Sequence, residues 1–488
     1  MDPSCNYVAT GETGAKPIVQ VWDSESGARI KVFDRVHRDG VSVLAFSPDG
    51  KRLATVGDDA QHRVAVYQTT NGLWKDGMLL AQAQGDEKKV LFAVFTSHKK
   101  AEFHLVTGGV MHIKFWLIPD GSRSLRYRKG IFGKATMQPL VCAVSIDNSV
   151  VCGSLSGELY QWEDRKCTSV VKGHTGPINT MYTHDHNTFL SGGDDGLIKF
   201  WNKELEVTAT LDIRKQAQPP LSPEIRSVCY DPITRTTLVG TRGCEIYEVF
   251  SRGGTQIMQS HWDDQLWGLA AHTQDPNVFT TVGDDETVRV WDAAKREMRF
   301  RMITGSAMRT ATYSADGKRV AIGIGSPVVG GGDKKAKHKK NGGFYVLQGS
   351  GKLTLEHDGR PCKQPITDIK FSPDGKVLAV GSMDHCIYLH DTDSYDKQAI
   401  CRKHTASVSH LDFSENSKVL RSNSDYHELQ FYTAKDGKQI TTPSVLKEMT
   451  WSSQSCILGW AVQGVCVCVC VCVYHQAYRS TGVSDTLS

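Results

Sequence analysis

Residues 173–202, GHTGPINTMYTHDHNTFLSGGDDGLIKFWN, set a pattern that much of this 488-residue chain repeats. Two short runs of β-branched and apolar residues, 178–183 and 188–191, come first. The stretch 192–196 then holds an Asp-Gly turn signal, and 197–201 alternates apolar with polar residues. This predicts a small antiparallel meander. A Gly-His pair opens the unit and a tryptophan closes it roughly 27 residues later, the signature of one propeller blade.

Copies follow at a spacing of about 40–45 residues, the propeller period. The unit at 41–68 carries VSVLAFSPDGKRLATVGDD and RVAVYQ, with Ser-Pro-Asp-Gly as the turn between its first two strands. Weaker copies lie at 91–116, 140–162 and 225–249, and 7–23 reads as the later strands of a blade without its first. Further units occupy 261–292, 309–347, 366–391 and 404–432. Some have decayed: His390 stands where the tryptophan would be, and Val380 replaces the serine.

These units resemble WD40 repeats. The resemblance implies a buried hydrogen-bonded chain of His174, Ser191, Asp195 and Trp201, repeated by His261, Thr281, Asp285 and Trp291. Such a chain gives each buried polar atom a partner. A hydrolase triad is not expected from the same residues, because they recur with the repeat, as structural ties do. The Gly-Asp-Asp runs at Gly57, Gly193 and Gly283 precede the last strand of their units at the turn, a structural position rather than a calcium loop.

Lys and Arg total 57 against 53 Asp and Glu, a net charge of +4 that demands neither nucleic acid nor membrane as partner. No run of 18 apolar residues suggests a membrane span, and the first residues lack the regions of a signal peptide. Ten of the 14 cysteines are scattered singly without CxxC pairs, against both a disulfide framework and a zinc site. Histidines show neither HxxxH nor HExxH, and no GxxxxGK[ST] loop is present. No cofactor, metal or catalytic residue is expected.

Two segments break the rhythm. GGGDKKAKHKKNGG at 330–343 reads as an exposed insertion within one blade. Its Lys334, Lys335, Lys337, Lys339 and Lys340 are the candidate basic contact loop for an acidic surface. At roughly 1 kcal/mol per lysine the loop supplies about 5 kcal/mol, a dissociation constant of order 0.1–1 mM, so it could only assist a larger contact. The VCVCVCVCV run at 465–473 is what a TG dinucleotide repeat encodes, and 465–488 is expected to be a read-through tail without ordered structure.

With the units laid out, YVATGETGAKPIVQVWD, VHRDGVSVLAFSPDGKRLATVG, GVMHIKFW, RKGIFGKATMQPLVCAV, GDDGLIKFWN, LWGLAAH and WSSQSCILGWAVQG resemble the echinoderm microtubule-associated protein-like family over residues 5–464. The resemblance implies an all-β fold of tandem WD40-type propellers built from four-stranded antiparallel blades. It implies about six blades in 1–255 and about five in 256–464, both propellers incomplete. The family's short hydrophobic motif before the first repeat and its coiled coil are not in this sequence.

By the same resemblance, the chain is a non-catalytic protein that binds tubulin or microtubules in the cytoplasm and cytoskeleton. A general WD40 scaffold that recruits other protein partners is the alternative. Pelleting with polymer discriminates the two.

Overall fold

The computed structural model describes residues 1–96, 103–118, 123–185, 187–216, 218–250, 253–262, 265–325, 340–349 and 352–459. Regular structure in them is almost wholly β. Among the described residues the helical turns are short 3-10 segments, at Trp74–Asp76, Ile213–Lys215 and Pro443–Leu446. The Cys-Val run and residues 330–339 lie outside the described residues.

The chain separates into two compact units, Met1–Ser260 and His261–Ser488. The first holds six sheets, covering 7–33, 41–83, 90–129, 140–172, 178–212 and 225–259, and the second holds four, covering 266–303, 308–359, 366–401 and 408–433. Eight of the ten sheets have four strands, with strictly neighbouring antiparallel order, and the first and tenth have three. The all-β reading of four-stranded meanders is borne out.

A shared register fixes what each strand does. In all nine sheets that possess a first strand, its pairing with the second slips one residue beyond its start, as at Val41/Val43, Ile178/Thr180 and Leu266/Gly268. A second bulge recurs between third and fourth strands at the residue before the closing aromatic, as at Phe200/Trp201 and Val290/Trp291. Bulges bend a strand and sharpen its twist. The opening sheet lacks the first bulge but has the second, at Val21/Trp22. Its strands Tyr7–Gly11, Val19–Asp23 and Arg29–Phe33 therefore stand in the second to fourth positions of a blade.

First strands of successive sheets lie beside one another within each unit, and apolar layers fill the space between neighbouring sheets. Between the second and third sheets the layer is Val56, Val66, Phe95, Leu105 and Trp116; between the seventh and eighth it is Val282, Val288, Met308, Ile322 and Leu347. Each fully buried side chain of this size contributes roughly 1.5–3 kcal/mol. The core is thus divided into layers.

Two expectations need correction. The strand Gly253–Gln259 completes the sixth sheet and crosses the expected boundary at residue 255, so the division falls between Ser260 and His261. Its sequence, GGTQIMQ, opens on two glycines and has little of the β-branched alternation that marks a strand. About five blades were expected in 256–464, whereas the described residues hold four sheets. After the tenth sheet the chain turns at Pro443–Leu446 and lays Leu446, Met449 and Trp451 against Val419 and Phe431. Pro443 lacks the N–H that a ladder needs.

Candidate functional site

The fifth sheet brings together all four residues singled out in its sequence. His174 precedes the first strand, Ser191 lies on the second, Asp195 in the turn that follows, and Trp201 on the third. The Trp201 indole N–H donates to Ser191 Oγ at 2.8 Å, Ser191 Oγ lies 2.7 Å from His174 Nε2, and His174 Nδ1 lies 2.9 Å from Asp195 Oδ1. With indole as a fixed donor, the hydroxyl donates to Nε2, and Nδ1–H donates to the carboxylate.

Burial alone would raise the Asp195 carboxyl, but the bonds from His174, Thr175 N–H and Leu197 N–H together hold it below the usual range. Ser191 is fully buried and its oxygen is engaged by both indole and imidazole. No substrate reaches it. The arrangement pins the entry loop, the second-to-third turn and the third strand to one another.

The seventh sheet repeats this with His261 Nδ1 2.9 Å from Asp285, His261 Nε2 2.7 Å from Thr281, and the Trp291 N–H donating to Thr281 at 2.6 Å. Thr287 and Arg289 also donate to Asp285, the latter at 3.1 Å from a fully buried guanidinium. Here too burial would raise the carboxyl, and the His261, Thr287 and Arg289 contacts outweigh it.

The Gly-Asp-Asp turns precede the third of four strands and not the last, and their glycine has a geometric reason. A Cβ on Gly193 would sit 2.5 Å from His174 Nδ1 and 2.8 Å from Asp195 Oδ1; on Gly57 it would meet His37 Nδ1 at 2.6 Å and Asp59 at 2.8 Å. Only glycine leaves space for the imidazole to approach the carboxylate.

Three variants of the network escaped sequence reading. In the tenth sheet His404 Nε2 lies 2.6 Å from Ser422 Oγ and Nδ1 lies 2.9 Å from Glu428, with Tyr432 where the tryptophan stands elsewhere. Burial pushes His404 below its usual range despite that carboxylate. Glu428, which burial would raise, is held at about 2 by Thr405, His404 and Ser424. In the second sheet His37 Nε2 is 2.7 Å from Thr55, and burial drops this imidazole to about 4. In the ninth sheet the Cys362 thiol donates to Ser382 Oγ at 3.3 Å, and His390, in the tryptophan position, has Nδ1 2.9 Å from Tyr395 O. The signal for Glu428 was a carboxylate two places past the expected one, at Tyr426.

Of the candidate contact loop, Lys340 alone falls within the described residues. Its Nζ donates to Tyr345 Oη at 2.7 Å, a bond that raises its pKa. Lys334, Lys335, Lys337 and Lys339 lie outside the described residues.

A further polar group, also unread in the sequence, stands where the seventh and eighth sheets begin. Trp267 N–H donates to Asp284 at 2.8 Å and the Arg309 guanidinium lies 4.2 Å over the indole. Among the described residues no group of three or more His, Cys, Asp and Glu side chains is placed to hold a metal ion. Burial pushes the thiols of Cys142 and Cys401 up to about 12, so both stay protonated near neutrality. No described helix is long and apolar enough to cross a membrane.

Comparison with known proteins places these units. The family model described as the echinoderm microtubule-associated protein first β-propeller matches residues 1–249, and that of the second β-propeller matches 266–469. The chain is similar to the ciliary WD repeat-containing protein ctxp80 of Euplotoides octocarinatus, 29% identical over 94% of this chain and 63% of that protein. It is 28% identical to echinoderm microtubule-associated protein-like 1 of Mus musculus, over 92% of this chain and 53% of the relative. To the 77 kDa echinoderm microtubule-associated protein of Lytechinus variegatus it is 27% identical, over 95% and 68%. It thus spans between about half and two thirds of these relatives' lengths. Both propeller types are matched in order, the first alone over more than half of the residues, and the chain belongs to the echinoderm microtubule-associated protein-like family.

Proposed function

We propose that this chain is a non-catalytic WD40-repeat protein that binds microtubules or tubulin and acts in organising the microtubule cytoskeleton. The observation that carries the reading is the ordered pair of propeller domains, both of a family named for microtubule association, matching 1–249 and 266–469. Two relatives carry the same association in their names. Buried networks support it by holding the turns at the sheet ends rigid, which keeps a binding face preordered.

Cosedimentation of the full chain with polymerised tubulin at physiological salt tests the reading. The chain is expected in the pellet, and glutamine at Lys334, Lys335, Lys337, Lys339 and Lys340 is expected to leave most of it there. A chain that stays in the supernatant while circular dichroism reports folded β structure, and that does not retain free tubulin dimer either, overturns the reading. Capture of other proteins independent of tubulin would then favour the scaffold alternative.

A further inference from the structure

The outer strands of the first unit differ sharply in charge. Met78–Ala83, Val207–Asp212 and Gly253–Gln259 carry no cation, and the two on Arg29–Phe33 are turned to other groups, Arg29 donating to Gln20 and Lys31 to the Lys75 carbonyl. Arg126–Lys129, the outer strand of the third sheet, reads RYRK with all four residues exposed, and Lys166–Lys172, the outer strand of the fourth, reads KCTSVVK. Neither strand contains an acid. Exposed Lys134 lies on the segment that joins these adjacent sheets. Among the described residues, Arg126, Lys129, Lys134 and Lys166 are not engaged in an ion pair.

The row is also held in place. Gln82 N–H donates to Arg123 O at 3.0 Å and Leu125 N–H donates back to Gln82 O at 3.3 Å, which ties one end of the strand to the second sheet. At the other end Ile131 N–H donates to Arg165 O at 2.8 Å and Cys167 N–H to Ile131 O at 3.0 Å, joining it to the fourth. Between these ties Arg126–Lys129 is the outermost strand of its sheet, with no further strand along it among the described residues. An exposed edge of this kind accepts an extended peptide through its backbone groups. Alternate side chains of such a peptide recur about every 7 Å, the same repeat as those of the strand. Part of the Tyr127 ring is already taken up, with Lys114 Nζ 4.1 Å from its centroid and the Trp116 ring 4.9 Å from it, which leaves a base less of it to stack on.

We infer that the outer edge formed by Arg126–Lys129, with Lys134 and Lys166, is a docking surface for an extended acidic polypeptide segment. This rests on the microtubule reading proposed above, in which the acidic tails of the polymer surface are such segments. It moves the electrostatic contact from the lysine-rich insertion to a preordered strand.

The test uses the full chain and a variant carrying Arg126→Gln, Lys129→Gln, Lys134→Gln and Lys166→Gln. A control removes four exposed lysines elsewhere, Lys51, Lys376, Lys418 and Lys435, by the same change. Binding of a fluorescent glutamate-rich peptide is followed by anisotropy, with an RNA oligomer of equal charge in parallel, and pelleting is measured on polymer with and without its acidic tails. The expected result is peptide affinity weakened about tenfold or more in the variant and little changed in the control, with pelleting reduced by the variant or by tail removal. All the altered side chains are exposed, and unchanged melting curves establish that the variant folds. Equal peptide affinity in variant and control, or tighter binding to RNA than to peptide, overturns the inference. Pelleting that ignores both tail removal and the variant overturns it while leaving the microtubule reading standing. Failure of every chain to pellet, with peptide binding still lost in the variant, removes the microtubule reading and keeps the surface.

Discussion

His37 carries a measurable acid sensitivity. Buried beside Thr55, it stays neutral down to about pH 4, whereas in the unfolded chain it takes a proton near 6.5. Between those values the unfolded state binds more protons, so the stability that His37 contributes is present above 6.5 and is lost as pH falls towards 4. The shift corresponds to at most about 3 kcal/mol. Thermal melts from pH 7.5 to 5 should show falling stability, and His37→Gln should flatten that slope while lowering the neutral-pH value. The tenth sheet offers a second test, because three hairpins have equal length: Ser191 pairs with Lys199, Thr281 with Arg289 and Ser422 with Gln430. Glu428→Ala should cost about 2–3 kcal/mol by leaving His404 Nδ1 without its acceptor. Adding Tyr426→Asp puts a carboxylate in the place of Asp195 and Asp285 and should recover most of the loss, read as the denaturant midpoint. Sequence reading reached His174 and His261 because their partners stand at repeated spacings. Glu428 was illegible because a longer side chain at a different spacing reaches the same ring.

One carboxyl ties three consecutive elements of the second unit. Asp368, on the first strand of the ninth sheet, accepts from Thr310 of the eighth at 3.2 Å, from Leu411 N–H of the tenth at 2.8 Å and from its neighbour Ile369 N–H at 2.9 Å. Both oxygens face N–H donors, and burial raises the pKa of the group. Asp368→Asn should therefore destabilise the second unit by about 1–3 kcal/mol, since its amide must point an N–H at another, and equilibrium unfolding of the variant measures this. Nothing in TDIKF announces such a role. Strand existence was readable from alternation ended by an aromatic, but which strand is innermost or outermost emerges only from the sheet order. For the same reason RYRK, which lies between the repeat units read at 91–116 and 140–162, gave no sign in the sequence of forming an exposed edge.

Ten cysteines fall among the described residues, all of them free thiols, and their burial divides them by reactivity. Cys5, Cys229 and Cys244 are exposed, while Cys152, Cys401 and Cys456 are buried and held protonated by burial. Mass spectrometry after brief alkylation of the native chain at neutral pH should find the first three modified and the last three intact until denaturant is added. Early labelling of Cys152 would contradict the packing of the third sheet on the fourth. Fold class and family were legible at this scale because repetition averages over decayed units: a lost tryptophan at His390 or a lost serine at Val380 leaves the period untouched. The four sheets described in the second unit match the four repeat units read at 261–292, 309–347, 366–391 and 404–432, whereas the fifth blade came from the family resemblance and had no repeat unit of its own in the sequence.

The layered core also bears on how such a chain tolerates damage. Because each apolar layer is shared by two adjacent sheets alone, a poor side chain is felt by its immediate neighbours and goes no further. A molecule built this way has local fault containment, much as a bulkheaded hull does. Its blades are free to drift separately in composition while the curvature set by the recurring bulges is retained, and identities of 27–29% to its relatives are compatible with an unbroken succession of sheets.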